Sequence, residues 1–200
     1  MKASSIVMAA LPLDDYPTDL VSLITLPDNR RIRVRALRRC EEGPIRELFA
    51  HLSAQSRYQR FLSPMPALPD SLARQLACGD YQRRLAIIAQ YNFDTAEEET
   101  IGLGSFGAID DATAEVALVI RDDWQRRHVG TELATRILQA AEARGFHRFV
   151  ATVLHDNVAI RRLLGHVGQI VAGTSSGGVA ELAFVSSVRS GRCWTASVRP

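Results

Sequence analysis

The stretch DDWQRRHVGTELATRIL, residues 122–138, predicts a turn, a short loop with one glycine, and then a helix. A helix N-terminus presents unpaired N–H groups and a partial positive charge, so it suits a phosphate or a pyrophosphate. Gly130 would let the backbone approach such an anion closely. Basic and hydroxyl side chains surround this glycine: Arg126, Arg127, His128 and Thr131. Taken alone, the stretch leaves open an ordinary capped helix with surface arginines.

The segments on either side of this loop predict a mixed α/β domain. Two β-like runs around Pro27, Asp28 and Asn29 predict a hairpin, and three short helices follow within about residues 44–78. The remaining segments follow in the order strand, strand, strand, helix, strand, helix, strand, strand, and the helix after the loop covers about 131–144. One strand–helix–strand crossover among antiparallel hairpins leaves few possible folds.

Three arginines alternate with apolar residues in the second strand of the predicted hairpin: Arg31, Arg33 and Arg35. A basic strand for an anionic partner is one interpretation of this pattern. Period two alone produces it in any half-buried strand, so we interpret the arginines as the solvated face of an outer strand.

Length and composition favour one domain with short extensions. The chain has 200 residues, and its hydrophobic content of 46% is enough for a sizeable core. We expect a poorly ordered lead-in over residues 1–19, the domain over 20–188 and a tail over 189–200. The formal net charge of +2 is too small to indicate nucleic acid or a membrane surface. No apolar stretch is long enough to span a bilayer, so a soluble cytoplasmic protein is the default expectation.

The three cysteines, Cys40, Cys78 and Cys193, are far apart and form no C-x-x-C pair. Their spacing therefore indicates neither a zinc site nor a disulfide framework, and it fits a reducing compartment. Four of the five histidines, His51, His147, His155 and His166, show no ligand-like spacing, so we expect no metal site.

Two motifs in the second half of the chain resemble those of a known family. The segment WQRRHVGTEL resembles motif A of the GNAT superfamily of N-acetyltransferases, a Q/R-x-x-G-x-G/A pattern that binds the pyrophosphate of acetyl-CoA. Gln125 and Gly130 occupy its first and last positions, and His128 replaces the middle glycine. The segment VLHDNVAIRRLLGHVG is similar to motif B, with Asn157 at the position that usually bonds the pantetheine arm and Gly168 after the helix.

The first half of the chain extends this resemblance. An arginine-rich strand, a helix and then LSAQSRYQRF, whose match covers residues 53–61, are similar to the Pat-like branch of protein lysine acetyltransferases. The similarity covers about residues 22–186. It implies the GNAT fold, an α/β domain with a mixed central sheet of about six to seven strands and about four to five flanking helices.

The resemblance also implies an acetyl-CoA site. In the family, pantetheine binds like an extra strand along the backbone of the strand before motif A, and loop amides bind the pyrophosphate. The residues implied here are Leu118, Val119, Ile120, Gln125, Arg126, Arg127, His128, Val129, Gly130, Thr131 and Asn157.

Glu115 is the candidate general base. A lysine side chain with a pKa of about 10.4 is mostly protonated at neutral pH, so its attack on a thioester needs a proton acceptor. Glu115 lies in an otherwise apolar strand directly before the loop, and the Pat-like catalytic glutamate lies in a matching stretch. We expect it to be partly buried. The alternative is an edge-strand glutamate paired with an arginine. Leu164 stands where many members carry a tyrosine that protonates the leaving thiolate.

The expected activity is acetyl transfer from acetyl-CoA to an amine. A protein lysine or a small molecule is the expected acceptor, and its pocket should involve about residues 44–78 and 174–180. An acyl-CoA-binding sensor with weak catalysis is the alternative, suggested by the missing tyrosine and glycine. We expect no nucleic-acid or membrane partner, and a homodimer remains possible.

Overall fold

The computed structural model describes residues 15–188, which form one eight-stranded mixed sheet with five α-helices. The strands are β1 (Ser22–Thr25), β2 (Arg31–Ala36), β3 (Arg84–Tyr91), β4 (Glu99–Ala108), β5 (Thr113–Ile120), β6 (Arg148–Leu154), β7 (Gly168–Ser176) and β8 (Val179–Ser186). The helices are α1 (Gly43–Ala50), α2 (Ala54–Phe61), α3 (Asp70–Ala77), α4 (Val129–Glu142) and α5 (Val158–Val167). The predicted α/β fold is confirmed, with one strand more than the six to seven expected.

The sheet order is β1-β2-β3-β4-β5-β6-β8-β7. Neighbouring strands are antiparallel except for β5 and β6, which α4 connects in parallel. This pair is a strand–helix–strand crossover of the kind that the sequence predicts. The loop of interest therefore joins the end of β5 to the start of α4, at the carboxyl edge of the only parallel pair in the described chain.

Helices cover both faces of the sheet. On one face α4 buries Leu133, Ile137 and Ala141, the residues that the four-residue spacing predicts. The fit is tight, because a Cβ added to Gly102 of β4 would come within 2.8 Å of the side chains of Ile120 and Leu133. The glycine therefore marks a close approach of helix to strand. On the opposite face α1 and α3 bury a smaller core.

The interpretation of the β2 arginines as a solvated face holds for Arg31, which is exposed, but is wrong for Arg33 and Arg35. β2 lies between β1 and β3, so it is not an outer strand. Arg33 pairs with Asp94 and Glu98, each at 2.5 Å, and Arg35 pairs with Glu41 at 2.8 Å. Their side chains are only 18% and 11% exposed. Carboxylates from the following loop and from the loop between β3 and β4 cover these two side chains, and the period of a single strand carries no information about them.

The structure joins Cys40 to Cys78 in a disulfide, with 4.7 Å between their Cα atoms. The expectation of no disulfide is wrong here. A main-chain hydrogen bond from Cys40 to Ala77 holds the β2–α1 loop against the end of α3, so residues 38 positions apart become neighbours. The cysteine spacing therefore gives no support to a reducing compartment. Cys193 lies outside the described residues.

The expected lead-in and tail fall mostly outside residues 15–188. Within the described part, the Tyr16 hydroxyl donates to the carbonyl of Ala36 at 2.9 Å, and Leu20 is buried against the main core. This segment therefore packs on the domain from Tyr16 onward. Among the described residues, no helix is long and apolar enough to cross a membrane.

Candidate active site

The sheet splits between β5 and β6. Their parallel pairing covers only Thr113–Glu115 against Arg148–Val150. Beyond Glu115, β5 remains paired with β4 on its other side, and β6 remains paired with β8. The two strands diverge toward their carboxyl ends, so the inner edge of residues 116–120 is left without a strand partner in the described chain.

A cleft with a volume of about 610 Å³ fills this split. That size is typical of a pocket for a small molecule or cofactor. Its walls come from α2, β5, the loop after β5, α4, β6 and α5. We call the part lined by Gln125, Arg126, His128 and Asn157, with the rest of the loop 121–128 behind it, the loop end. We call the part lined by Arg60 and Thr152, together with their hydrogen-bond partners Ser105 and Glu115 beside it, the inner end.

Nine of the predicted cofactor residues line this cleft. They are Leu118, Val119, Ile120, Gln125, Arg126, His128, Gly130, Thr131 and Asn157. Val129 is fully buried in the core instead. The Arg127 side chain bonds Asp28 at 3.1 Å and the carbonyl of Asp123 at 3.0 Å, and it lies over the ring of Trp124. Trp124 is 3% exposed and packs at the base of the loop.

The loop has a left-handed backbone at two non-glycine residues, Arg126 with φ of 58° and His128 with φ of 67°. This conformation favours glycine and costs other residues on the order of 1 kcal/mol. It gives a physical reason for the glycine that the GNAT pattern has at the position of His128. Here α4 begins directly after His128, two residues earlier than predicted, and Gly130 and Thr131 of its first turn line the cleft.

Gly130 is helical, so its role is spatial. A Cβ added there would meet the side chains of Ile120, Leu163 and Leu118 at 3.6, 3.7 and 3.9 Å, which are ordinary contacts. A methyl group therefore fits, whereas a large side chain would extend into the cleft that Gly130 lines.

Asp122 joins the loop to the start of α2. Its carboxylate accepts hydrogen bonds from the Ser53 main-chain N–H at 2.9 Å, the Ser53 hydroxyl at 2.7 Å and the Ser56 hydroxyl at 2.8 Å. Burial alone would raise the pKa of Asp122, but these hydrogen bonds outweigh it and hold the pKa below its usual value. Gln125 adds a bond from its side-chain amide to the Ser56 hydroxyl and another to the carbonyl of Ile120, both at 3.2 Å.

This junction is a role that sequence reasoning missed. The serines of LSAQSR match the Pat-like pattern, but only the folded chain brings them to a loop 66–69 residues away. The presence of two hydroxyl residues at a helix start was the available signal, since such residues cap helices and bond carboxylates.

Asn157 stands on the opposite wall of the loop end. Its side-chain oxygen accepts a hydrogen bond from the main-chain N–H of Ile160 at 3.2 Å and so caps α5. The amide NH₂ of the same side chain has two N–H donors that can bond a ligand in the cleft. Leu164, at the family's tyrosine position, also lines the cleft and is 2% exposed. Its hydrocarbon side chain has no proton to donate to a leaving thiolate.

Glu115 lies at the last paired position before the strands separate. The expectation that it is partly buried is wrong, because its side chain is exposed. The residue opposite it on β4 is Gly107, whose missing side chain leaves open space above the sheet. The Thr152 hydroxyl donates toward the carboxylate at 3.5 Å. The alternative of an arginine-paired edge glutamate also fails, since β5 is central and no arginine of the described chain lies within 4.0 Å of this carboxylate.

Arg60 of α2 reaches the same end of the cleft, and sequence reasoning gave it no role. One of its terminal nitrogens donates to the Ser105 hydroxyl at 3.3 Å. Burial lowers the pKa of its guanidinium to about 10, and the negative charge of Glu115 opposes this shift. The inner end therefore holds an acidic and a basic group that are electrostatically coupled but not ion-paired.

Comparisons with known proteins agree with this geometry. The family model described as Acetyltransferase (GNAT) domain matches residues 31–169. The chain is 30% identical over 149 residues to a Pseudomonas aeruginosa protein named Acetyltransferase PA5475, which covers 72% of this chain and 80% of that one.

Solved structures show the same fold. The GNAT domain of S. lividans PAT superposes with a TM-score of 0.76 at 25% identity, covering 86% of this chain and 99% of that domain. The structure of yncA, a putative acetyltransferase from Salmonella typhimurium with its cofactor acetyl-CoA, has a TM-score of 0.61 at 15% identity, covering 80% and 95%.

Proposed function

The chain belongs to the GNAT family of acetyltransferases, and on that premise we propose that it transfers the acetyl group of acetyl-CoA to a primary amine with Glu115 as general base. The observation that carries this proposal is the split of the sheet at Glu115. The candidate base occupies the residue at which β5 loses β6 as a neighbour, and the cleft begins with the next residue of β5 and runs to the loop end.

The donor is acetyl-CoA, as in the family. We propose that its pyrophosphate lies at the loop end, on the main-chain amides of residues 126–131 and the N-terminus of α4. The pantetheine arm would add to the free edge of residues 116–120 through main-chain hydrogen bonds, which need no particular side chains. The side-chain amide NH₂ of Asn157 would donate a hydrogen bond to the pantetheine arm from the α5 side.

The chemistry asks little of the protein. Glu115 accepts a proton from the attacking ammonium, directly or through a water molecule. The neutral amine then forms a bond to the thioester carbonyl carbon, and the C–S bond breaks to release the CoA thiolate. The attached nitrogen loses its extra proton to solvent or to the departing thiolate, which leaves the neutral amide. An amide N–H of β5 can bond the carbonyl oxygen as it gains charge. Because Leu164 supplies no acid, the thiolate leaves as the anion or takes its proton from water.

Two classes of acceptor are considered. A protein lysine is the acceptor that the Pat-like branch favours, and a small-molecule amine is the alternative. Either can reach Glu115, because the sheet face above Gly107 is open to solvent. The sensor alternative predicts acetyl-CoA binding with no turnover on any amine.

Replacing Glu115 with glutamine tests the assignment. Acetyl transfer should fall by about 100-fold or more in kcat, since a positioned base contributes about 10²–10⁴. The Kd for acetyl-CoA should change less than threefold, because Glu115 is outside the cofactor contacts. Thiol release with a panel of amines and lysine peptides measures the first quantity, and calorimetry measures the second.

The matched control is Glu181→Gln on β8, an exposed glutamate whose strand pairs with β6 opposite Thr152. It should retain turnover. Full activity of Glu115→Gln would remove the base assignment, and tight acetyl-CoA binding without turnover by the unmodified chain would favour the sensor.

A further inference from the structure

The guanidinium of Arg60 has spare donors inside the cleft. Its Nε is excluded from solvent and donates to no group in residues 15–188, and its one hydrogen bond is the 3.3 Å bond to Ser105. No carboxylate of the described chain lies within 4.0 Å of it. A desolvated cation without an anionic partner is costly, so such a group is expected to meet an anion in the working complex.

Arg57, one turn earlier on α2, shows what a structural arginine looks like here. Its Nε is buried without a hydrogen-bond partner among the described residues, as in Arg60, so the two residues differ at their terminal nitrogens. Both terminal nitrogens of Arg57 donate, to the carbonyls of Pro66 at 2.9 Å and Ala50 at 3.3 Å, and its guanidinium lies 4.4 Å from the centre of the Phe49 ring. It does not line the cleft. Arg60 lies 5.2 Å from the centre of the Phe61 ring, which orients the guanidinium while leaving its donor edge free.

The carboxylate of Glu115 and the guanidinium of Arg60 lie on the same face of the sheet, and we call them the glutamate pole and the arginine pole. Ser105 is opposite Ala117, which is two residues from Glu115, so Ser105 and Glu115 point to the same side of adjacent strands. Arg60, bonded to Ser105, thus lies beside Glu115 along the direction of β5. Gly107, directly opposite Glu115, leaves the space between the poles unfilled.

We propose that Arg60 binds the carboxylate of the acceptor, and that the acceptor is a small amine with a carboxylate beside the reacting nitrogen, as in a free α-amino acid. This rests on the proposed function and narrows it to its small-molecule alternative. A guanidinium edge matches a carboxylate with two parallel hydrogen bonds, and the glutamate pole suits the ammonium of the same molecule. At neutral pH the guanidinium of Arg60 carries its charge, because a group with a pKa of about 10 remains protonated there.

A carboxylate can also arrive on the acyl chain of the donor, as in succinyl-CoA. The same guanidinium would then select the donor instead of the acceptor. The two sources differ in which reactant loses its advantage when Arg60 is replaced, so the experiment includes both.

The experiment measures kcat/KM of the full chain with acetyl-CoA for free L-amino acids, for the matched L-amino-acid amides and for a lysine peptide with blocked termini. The unmodified protein should prefer its best amino acid to the amide by at least about tenfold, since the amide lacks the charge that Arg60 pairs with. Arg60→Met should bring this ratio close to one, mainly through KM. Arg60→Lys should keep part of the preference, and Arg57→Met should keep all of it.

Three results would overturn the assignment. They are equal use of acids and amides, better use of the lysine peptide than of any amino acid, and a preference for succinyl-CoA over acetyl-CoA that Arg60→Met removes. If Arg60→Met does not fold, as judged by its thermal transition, Arg60→Lys and the acid-to-amide ratio of the unmodified protein decide the question.

A binding measurement separates this proposal from the proposed function. Calorimetric titration of the same amino acids and amides into the protein saturated with CoA requires no turnover. Acid-selective binding that Arg60→Met abolishes would support the carboxylate site even if no amine is acetylated, a result that would count against the transferase proposal alone. Absence of acid-selective binding would overturn the site even if amines are acetylated.

Discussion

The two ends of the cleft differ in how their polar groups are used. At the loop end, Asp122, Gln125 and Asn157 are hydrogen-bonded to neighbouring main chain or serine hydroxyls, so the loop is held in place before any ligand arrives. At the inner end, Glu115 and Arg60 each have one weak hydrogen-bond partner, at 3.5 and 3.3 Å. The difference fits the proposed function, in which the loop end is a preformed site for the donor and the inner end is a site that the acceptor completes.

The largest expected effect is on the affinity for acetyl-CoA when the space at the loop end is filled. Gly130→Phe should raise the Kd for acetyl-CoA by about 100-fold or more, because a ring on α4 would occupy cleft volume while Ile120 and Leu163 prevent its retreat. Gly130→Ala should change the Kd less than about threefold, since its Cβ meets neighbours at 3.6–3.9 Å. Calorimetry measures both values.

Gly165→Phe is the matched control for the ring, because a Cβ there meets nothing within 4 Å on the exposed side of α5. It should bind acetyl-CoA like the unmodified chain. An unchanged Kd in Gly130→Phe would return residues 122–138 to an ordinary helix start.

A smaller effect concerns the junction of the loop and α2. Asp122→Asn keeps the size and shape of the side chain but removes the negative charge that accepts three hydrogen bonds. The free energy of unfolding should therefore fall by about 1–2 kcal/mol at pH 7. Because the folded pKa of Asp122 is depressed, its contribution is present above the unfolded pKa near 3.8 and is lost as the pH falls through the folded pKa.

Denaturant unfolding across pH 2–7 provides the measurement. The difference between the unmodified chain and Asp122→Asn should shrink toward acid. A difference that stays constant down to pH 2 would show that the carboxylate charge does not hold the junction.

The smallest effect concerns the left-handed residue at the start of α4. His128→Gly removes backbone strain but adds chain entropy to the unfolded state, so the variant should be about 0.5–1 kcal/mol more stable. The Kd for acetyl-CoA should change less than threefold, because the main-chain amides stay in place. Thermal unfolding with calorimetric binding checks both values, and a marked loss of affinity would show that the imidazole itself binds the donor.

The sequence predicts the loop end better than the inner end, for a physical reason. A strand, a loop and a helix start are local in the chain, so motif spacing places Gln125, His128 and Gly130 together without knowledge of the rest. The inner end combines α2, β4, β5 and β6, and only the register of the sheet brings Arg60 to Ser105 and Thr152 to Glu115. The exposure of Glu115 depends in the same way on Gly107 of a neighbouring strand.

The disulfide and the β2 ion pairs were missed for the same reason. The sequence separation of Cys40 and Cys78 gives no hint of the main-chain hydrogen bond that brings them together. The carboxylates that meet Arg33 come from a loop 61–65 residues later. Periodicity describes one element at a time, whereas these contacts are made between elements.

The hydrogen bonds from Ser53 and Ser56 to Asp122 have a thermodynamic consequence. They join the helix that carries Arg60 to the loop that precedes α4, so the acceptor side and the donor side share one rigid connection. By linkage, any factor by which a bound acceptor changes the affinity for the donor must equal the factor by which the donor changes the affinity for the acceptor. On the proposed function, the junction connects the two substrate sites directly, and Asp122→Asn should reduce that shared factor for both.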